Sequence, residues 1–277
     1  MTSITPHQSS PPPQGCIDTE VVGDDVLLIG INRPAKRNGL TPEMLCQLAE
    51  ALTRLDDTPT LRVGVLHAFG PHFTAGMDLP ALSEYQRRGG KPVPQDQGLV
   101  EPFDLPLAGY RRRSKPLVAA VTGICFTAGI ELMLSADVVV AADDCRFAQM
   151  EVGRGVMAAC GATLRMAQRA GAGNALRLLL SGTEFDSSEA HRFNFVQDVT
   201  APGDVLQVAL SIAQHIAQQA PLAVIATRLN VRKMLEEGPL AAAAELLHVQ
   251  QRLSCSEDAA EGRQSFIERR RPVFRGR

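Results

Sequence analysis

Short, unbroken apolar runs bounded by polar or turn residues alternate along the first part of the chain with segments whose apolar residues recur every three or four positions. The short runs predict buried strands over Asp25–Asn32, Arg62–His67, Leu117–Val121 and Asp137–Ala141. Thr41-Pro42-Glu43 predicts a helix start, with threonine as N-cap and proline at the first helical position, followed by apolar residues at 44, 45, 48, 49 and 52. Ala128–Leu134 predicts a second helix. Gly70–Asp78 reads as a loop, Gly123 as a turn, and Gly89–Pro106 as a Gly/Pro-rich loop. Beyond residue 160 the pattern is mainly helical: Gly161–Gln168, Asn174–Leu180, Ser187–Phe193, Asp204–Gln219, Leu222–Glu236, Leu240–Cys255 and Glu257–Arg270. Strand–helix alternation predicts an α/β core of repeated ββα units, although no repeat is visible at the level of the sequence. The expected division is a disordered tail over 1–15, rich in Ser, Pro and Gln, a core over 16–205, and a helical region over 206–277.

Composition narrows this picture by exclusion. A net charge of −2 argues against a generally nucleic-acid-seeking surface. The most apolar stretch, Pro116–Ala142, is interrupted by Glu131, Asp137 and glycines, so no membrane span is expected, and no signal peptide is read at the N-terminus. The six cysteines are scattered without a CxxC, which fits reduced thiols and a cytoplasmic protein. The histidines lack metal-ligand spacing, and HExxH, P-loop and GxSxG patterns are missing, so no metal site is expected. Gly153–Ala158 matches GxGxxA, but no clean strand precedes it. The basic run Arg111-Arg112-Arg113-Ser114-Lys115 and the Arg-rich tail read first as solvated faces, with phosphate contact as the alternative.

The candidate chemistry lies in two isolated carboxylates. Glu131 follows the small, apolar Thr127-Ala128-Gly129-Ile130, and its only charged neighbour in Pro116–Ala142 is Asp137. A carboxylate in such a setting is paired, neutralised or put to use. Glu151 closes a second polar-poor segment, Phe147-Ala148-Gln149-Met150-Glu151. Two acids in apolar surroundings near a helix start point to acid/base chemistry beside an oxyanion site. The competing reading is that Glu131 pairs with an arginine and Glu151 caps a loop.

Segments spaced in order resemble the crotonase (enoyl-CoA hydratase/isomerase) superfamily: Ile31-Asn32-Arg33-Pro34 with Asn38; Phe73-Thr74-Ala75-Gly76-Met77-Asp78-Leu79; Gly123 through Glu131-Leu132 to Ala136-Asp137; Phe147 through Glu151 to Gly161-Ala162-Thr163; and Glu261-Gly262 with Phe266–Arg270. The resemblance covers nearly the whole chain past residue 20 and implies the crotonase (ClpP/crotonase-like) spiral of ββα units with a C-terminal helical region. It implies backbone N–H groups of Met77 and Ala128 as an oxyanion hole, and Glu131 and Glu151 as the catalytic pair. Coenzyme A contacts are implied for Ala35, Lys36, Arg37, Ala75, Asp78, Leu79, Arg270 and Arg271, the last two reaching across from a neighbouring subunit. Asp78, a short acid after a glycine turn, is also expected to satisfy local N–H groups. Phe69, Phe73, Phe103 and Leu105 are candidates for an acyl pocket.

Departures from the family pattern are Ala128 for a glycine, Ala158-Ala159 for Pro-Gly, Gly161-Ala162-Thr163 for Gly-Gly-Thr, and Leu79-Pro80-Ala81-Leu82 where a lysine often follows the AGxDL aspartate. The activity implied is hydration of a 2-trans-enoyl-CoA to a 3-hydroxyacyl-CoA, with coenzyme A as part of the substrate and no separate cofactor, in a homotrimer or a hexamer built as a dimer of trimers. The alternatives are an enoyl-CoA isomerase, a CoA-thioester or β-diketone hydrolase, and a non-catalytic, RNA-binding family member.

Overall fold

The computed structural model describes residues 12–90, 98–107 and 109–277. Most of the expected tail, and part of the expected Gly/Pro-rich loop, lie outside these residues. A six-stranded sheet has the order β1-β2-β3-β4-β6-β9, from strands β1 (Cys16–Val22), β2 (Val26–Asn32), β3 (Val63–Ala68), β4 (Leu117–Val121), β6 (Val138–Ala142) and β9 (Asp198–Thr200). β1 pairs antiparallel with β2, and every later pairing in this sheet is parallel. β2 and β4 are buried at every residue, which explains their continuous apolar character. A second sheet has the order β5-β7-β8, from β5 (Ile124–Phe126), β7 (Arg146–Ala148) and β8 (Phe185–Asp186).

The ββα repeat is visible as geometry. A strand of the large sheet turns into a short strand of the small one and then into a helix: β4, β5 and α3 (Ala128–Ser135), then β6, β7 and, after a 3-10 turn over Glu151–Arg154, α4 (Ala162–Ala170). α1 (Pro42–Asp57) is capped as expected, with Thr41 Oγ1 accepting from Met44 N–H at 3.2 Å. α2 (Leu79–Arg87) occupies a stretch for which the sequence reading assigned no helix. It buries no residue and spans only nine, and its start is fixed by the N-cap Asp78 with Pro80 following.

α5 (Ala172–Ser181) and α6 (Ser187–Arg192) follow, and then α7 (Val205–Ala217). α7 buries Val205, Ala209, Leu210, Ala213 and Ala217 and packs on β3, β4 and β6, so it completes the core. α8 (Pro221–Glu237) and α9 (Pro239–Ser254) form a hairpin, and α10 (Glu257–Glu268) ends the helical region. α8 buries no residue within the single chain and α9 only Ala242.

The basic run 111–115 is neither a solvated face nor free for phosphate. Arg113 is 1% exposed and donates to Asp137 at 2.9 Å and to Ser135 O. Arg112 bridges Asp104 and Glu236, Arg111 bridges Asp56 and Asp57, and Lys115 Nζ donates to Leu55 O and Thr58 O at the end of α1. From α8, Arg228 pairs with Asp104 at 2.9 Å and Asp137 at 2.7 Å. This ion cluster fastens the helical region to the core.

Candidate active site

The parallel strands β2, β3, β4 and β6 end on one side of the sheet, and the segments leaving those ends build the site. After β3, Thr74 pairs in parallel register with Cys125 of β5: Thr74 N–H donates to Ile124 O, and Phe126 N–H donates to Thr74 O. Met77 and Ala128 each lie three residues further along these paired segments. Between them Gly76 lies against Thr127 so closely that a Cβ on Gly76 would fall 1.9 Å from Thr127 Oγ1. Gly76 is therefore required both by this contact and by its φ of 96°.

Met77 also bridges Leu40, through Leu40 N–H to Gly76 O and Asp78 N–H to Leu40 O, each 2.8 Å. Because peptide groups alternate along an extended segment, the N–H of Met77 points away from Leu40. Ala128 opens α3, and its N–H is one of the donors that a helix N-terminus leaves unpaired. Neither N–H has an acceptor among the described residues. The helix dipole adds positive potential at this point. The turn from β5 into α3 is made by Thr127 at φ 50° and ψ −119°, a conformation that β-branched residues strongly disfavour.

Glu131 sits in the first turn of α3, 2% exposed. Its Oε1 accepts from Cys160 N–H at 2.7 Å and from Ala162 N–H, the first residue of α4, at 3.0 Å. Burial raises its pKa, while these two N–H bonds and the charge of Arg165 pull it back down. The carboxylate thus rests on backbone donors, and not in an ion pair with an arginine.

Glu151, partly buried at the start of the 3-10 turn after β7, has a poorer set of partners. Its Oε1 accepts from Gln149 Nε2 at 3.1 Å, and its Oε2 is buried without a partner among the described residues. Burial raises its pKa, and the negative charge of Glu131 raises it further against the opposing pull of its own N–H and Arg154. Both carboxyls are raised by burial, but their partners differ: Glu131 rests on two backbone N–H donors, whereas Glu151 has one side-chain donor and a buried Oε2 without a partner among the described residues.

The loop after β2 adjoins the oxyanion segment. Ala75 N–H donates to Arg37 O at 2.9 Å, and Asn38 Nδ2 donates to Phe69 O and His72 O. Ala35, Lys36 and Arg37 are exposed there beside Ala75 and Met77, whereas Leu79 is half exposed at the start of α2. Asp78 is engaged structurally, accepting from Ala81 N–H at 3.0 Å and pairing with Arg33 at 2.7 Å; burial alone would raise its pKa, but these contacts hold it below the usual carboxylate value. Arg270 pairs with Glu261 and Glu268 at the end of α10. Arg271 lines a cavity with Asp25 and Arg62, at the opposite end of the strands from Lys36 and Arg37, so a single chain does not bring these basic groups together.

Of the acyl-pocket candidates, Leu105 reaches the segment that holds Glu131, its Cδ2 3.2 Å from where a Cβ on Gly161 would lie. The carbonyl of Phe103 is held by Arg165 at 2.6 Å. Phe69 lies against His67, with ring centroids 5.1 Å apart, and Phe73 is fully buried in the core. Sequence reasoning passed over Glu101, Cys160 and Arg165. Glu101 is an isolated acid in a loop, Cys160 a scattered thiol, and Arg165 a single arginine on a helix, and none of these patterns is distinctive. Among the described residues no cluster of metal-ligating side chains occurs.

Residues 22–277 match the family model described as enoyl-CoA hydratase/isomerase. The chain is 33% identical to the 2,3-dehydroadipyl-CoA hydratase of Escherichia coli K12 over 254 residues, covering 91% of this chain and 96% of the relative. It is 31% identical to the mevalonyl-coenzyme A hydratase of Aspergillus fumigatus over 273 residues, covering 97% of each. Among solved structures, a probable enoyl-CoA hydratase/isomerase from Mycobacterium abscessus superposes with a TM-score of 0.88 at 42% identity, over 94% of this chain and 98% of that one. An enoyl-CoA hydratase from Mycobacterium tuberculosis H37Rv superposes with a TM-score of 0.83 at 35% identity, over 96% and 100%. By fold and by sequence, the chain belongs to the enoyl-CoA hydratase/isomerase family, the crotonase superfamily.

Proposed function

We propose that this protein adds water to a 2-trans-enoyl-CoA and releases a 3-hydroxyacyl-CoA. The observation that carries the reading is the pair of carboxyls in unequal environments beside two N–H donors that lack protein acceptors. The thioester oxygen lies between the N–H groups of Met77 and Ala128. Glu131 accepts a proton from a water whose oxygen forms a bond to C3. The C2–C3 π pair moves toward the thioester, whose oxygen gains enolate charge against the two donors, each worth roughly 3 kcal/mol in such sites. Glu151 then donates its proton to C2, and the proton held on Glu131 returns to solvent or to Glu151 to reset the pair. These steps draw on carboxyls and backbone dipoles alone, so the reading calls for no cofactor beyond the coenzyme A of the substrate.

An isomerase needs one proton shuttle, so two carboxyls held in different hydrogen-bonding environments favour hydration. Three of the four proteins named above are described as hydratases and the fourth as a hydratase/isomerase, which agrees with this. The RNA-binding reading loses its main support, because the basic run 111–115 is engaged inside the fold. Coenzyme A contacts from Ala35, Lys36, Arg37, Ala75 and Leu79, with Arg270 and Arg271 supplied by a neighbouring subunit, form part of the proposal, as does a trimeric or hexameric cytoplasmic enzyme. The test is a panel of 2-enoyl-CoA esters of increasing chain length, with product detected as the mass of substrate plus one water. Water addition to at least one ester supports the reading. Double-bond migration or thioester cleavage in its place would assign one of the sister activities.

A further inference from the structure

Arg165 stands one turn into α4 with its guanidinium directed at the catalytic region. Its Nη2 donates to Phe103 O at 2.6 Å and Asp104 O at 3.1 Å. Its Nη1 is buried without an acceptor among the described residues, and a Cβ on Gly161 would lie 2.4 Å from it. Gly161 is the middle residue of Cys160-Gly161-Ala162, whose outer N–H groups both hold Glu131. The segment that Arg165 grips is itself braced by the buried Glu101, whose Oε2 accepts from Leu105 N–H at 2.6 Å. The guanidinium is therefore wedged between the 101–105 wall of the site and the backbone that carries the catalytic carboxylate.

We propose that Arg165 is a positioning residue for Glu131, bracing the Cys160–Ala162 backbone against the 101–105 segment and setting a buried positive charge opposite the base. This rests on the reading of Glu131 as the base that activates water. Charge is the reason that bracing alone does not account for the arrangement. A buried donor without an acceptor costs stability, and a neutral side chain would avoid that cost. Glu131 meanwhile must be ionised to take a proton from water, yet burial favours its neutral form.

The groups facing Glu131 are the Cys160 thiol, Glu151 and Arg165. Glu101 faces Arg165 and the Cys160 thiol, Arg154 faces Glu151, and Arg165 is in turn balanced by Asp104 against Arg112 and Arg113. Arg165 is the cation that acts on Glu131 within this set. Removing its charge raises the proton affinity of the base, so activity is lost on the acid side of the pH profile and regained as pH rises.

The experiment compares kcat/KM against pH for the parent, Arg165→Gln and Arg165→Lys. Glutamine keeps a donor for the Phe103 and Asp104 carbonyls and removes the charge; lysine keeps the charge and loses the fork. The expected result for Arg165→Gln is an acid limb displaced to higher pH, with a loss of roughly two- to fivefold on that limb that narrows at high pH. For Arg165→Lys the acid limb stays with the parent. A uniform loss across pH in Arg165→Gln, with an unmoved limb, overturns the proposal.

A second readout needs neither substrate nor turnover: difference infrared titration of the carboxyl band that Glu131→Gln abolishes. Its midpoint should rise in Arg165→Gln and hold in Arg165→Lys; an unchanged midpoint in the neutral variant overturns the proposal. If the parent hydrates no enoyl-CoA while the midpoint moves, the hydratase reading falls and the role of Arg165 stands. Should Arg165→Gln not fold, the lysine variant carries the test alone, and a displaced midpoint there overturns it.

Discussion

Gly76 packs against the side chain of Thr127 with no room for a Cβ between them, and that contact holds together the two segments that supply Met77 N–H and Ala128 N–H. Proline at 128 would seem the simplest way to delete the second donor, since it suits the first turn of a helix. The ψ of −119° at Thr127 speaks against it, because a residue before proline is confined to the extended region near +120° to +160°. An ester in place of the Thr127–Ala128 amide removes the donor and leaves the side chain intact. Introduced by nonsense suppression with lactic acid, it should lower kcat/KM roughly 10²-fold with only a small fall in melting temperature, from the weaker ester carbonyl that Ile130 N–H donates to, whereas Met77→Leu, which keeps its N–H, should stay near the parent. Full activity in the ester protein would remove Ala128 from the oxyanion site.

The strain at Thr127 gives a second expectation. Glycine adopts positive φ without penalty, and a β-branched residue there costs of order 1–3 kcal/mol, partly offset by the greater chain entropy of glycine. Thr127→Gly should therefore raise stability by about 1 kcal/mol. It should also lower kcat/KM, because the turn that aims Ala128 N–H becomes looser. Denaturant melts and steady-state kinetics on one preparation check both; a less stable but fully active variant would contradict the account.

The main sheet could be read from the sequence because burial on both faces leaves near-continuous apolar runs such as Leu27–Ile31 and Leu117–Val121. β1 was not read, since this edge strand pairs on one side only and carries three polar residues in succession, Asp18-Thr19-Glu20, which break any apolar pattern. β5, β7, β8 and β9 hold no more than three residues each, too few for any period to show. Glu131 and Glu151 stood out as isolated charges in apolar surroundings. Their supporting groups did not: Arg165 and Glu101 act from elements distant in sequence, and the roles of Cys160 and Ala162 belong to their backbone N–H groups.

The burial of Glu131 sets the sign of a pH effect on stability. Its pKa is higher in the folded protein than in the unfolded chain. Its stabilising contribution is therefore fully present below the unfolded value and is lost as pH rises through the folded one. Glu131→Gln carries no such penalty, so at neutral pH it should melt at or above the parent, and the difference should shrink as the pH is lowered toward the usual carboxylate range. Thermal melts across pH check this; a variant less stable at neutral pH than in acid, relative to the parent, would contradict it.

Asp104 behaves in the opposite sense. Burial opposes its charge, but Arg113, Arg228 and Arg112 hold its pKa below the ordinary value. Its contribution is present above the unfolded pKa and lost as pH falls through the folded one. Asp104→Asn removes the carboxylate that Arg112 and Arg228 share, leaving Arg228 only Asp137 and Arg112 only Glu236, and should cost up to about 3 kcal/mol, with the docking of α8 weakened first. Hydrogen exchange that stays protected across α8 in this variant would contradict the role of the cluster.

The C-terminal helices expose Leu240, Leu247, Phe266 and Ile267, each more than 70% accessible in the single chain. If a neighbouring subunit covers them, Leu247→Asp with Phe266→Asp should give a smaller species in analytical ultracentrifugation and a higher KM for the CoA ester, because Arg270 and Arg271 would no longer be delivered across the interface. An unchanged sedimentation coefficient would contradict this assembly.

The most direct test of the account is the hydration rate of the two glutamine variants, Glu131→Gln and Glu151→Gln, on the best enoyl-CoA ester found for the parent. Both changes are near-isosteric, and both proteins should fold. The account predicts that each loses roughly 10²-fold or more in kcat, since removing either carboxyl removes a proton transfer that the other, in its own environment, does not replace. Parent-like hydration by either variant would contradict the division of labour between Glu131 and Glu151.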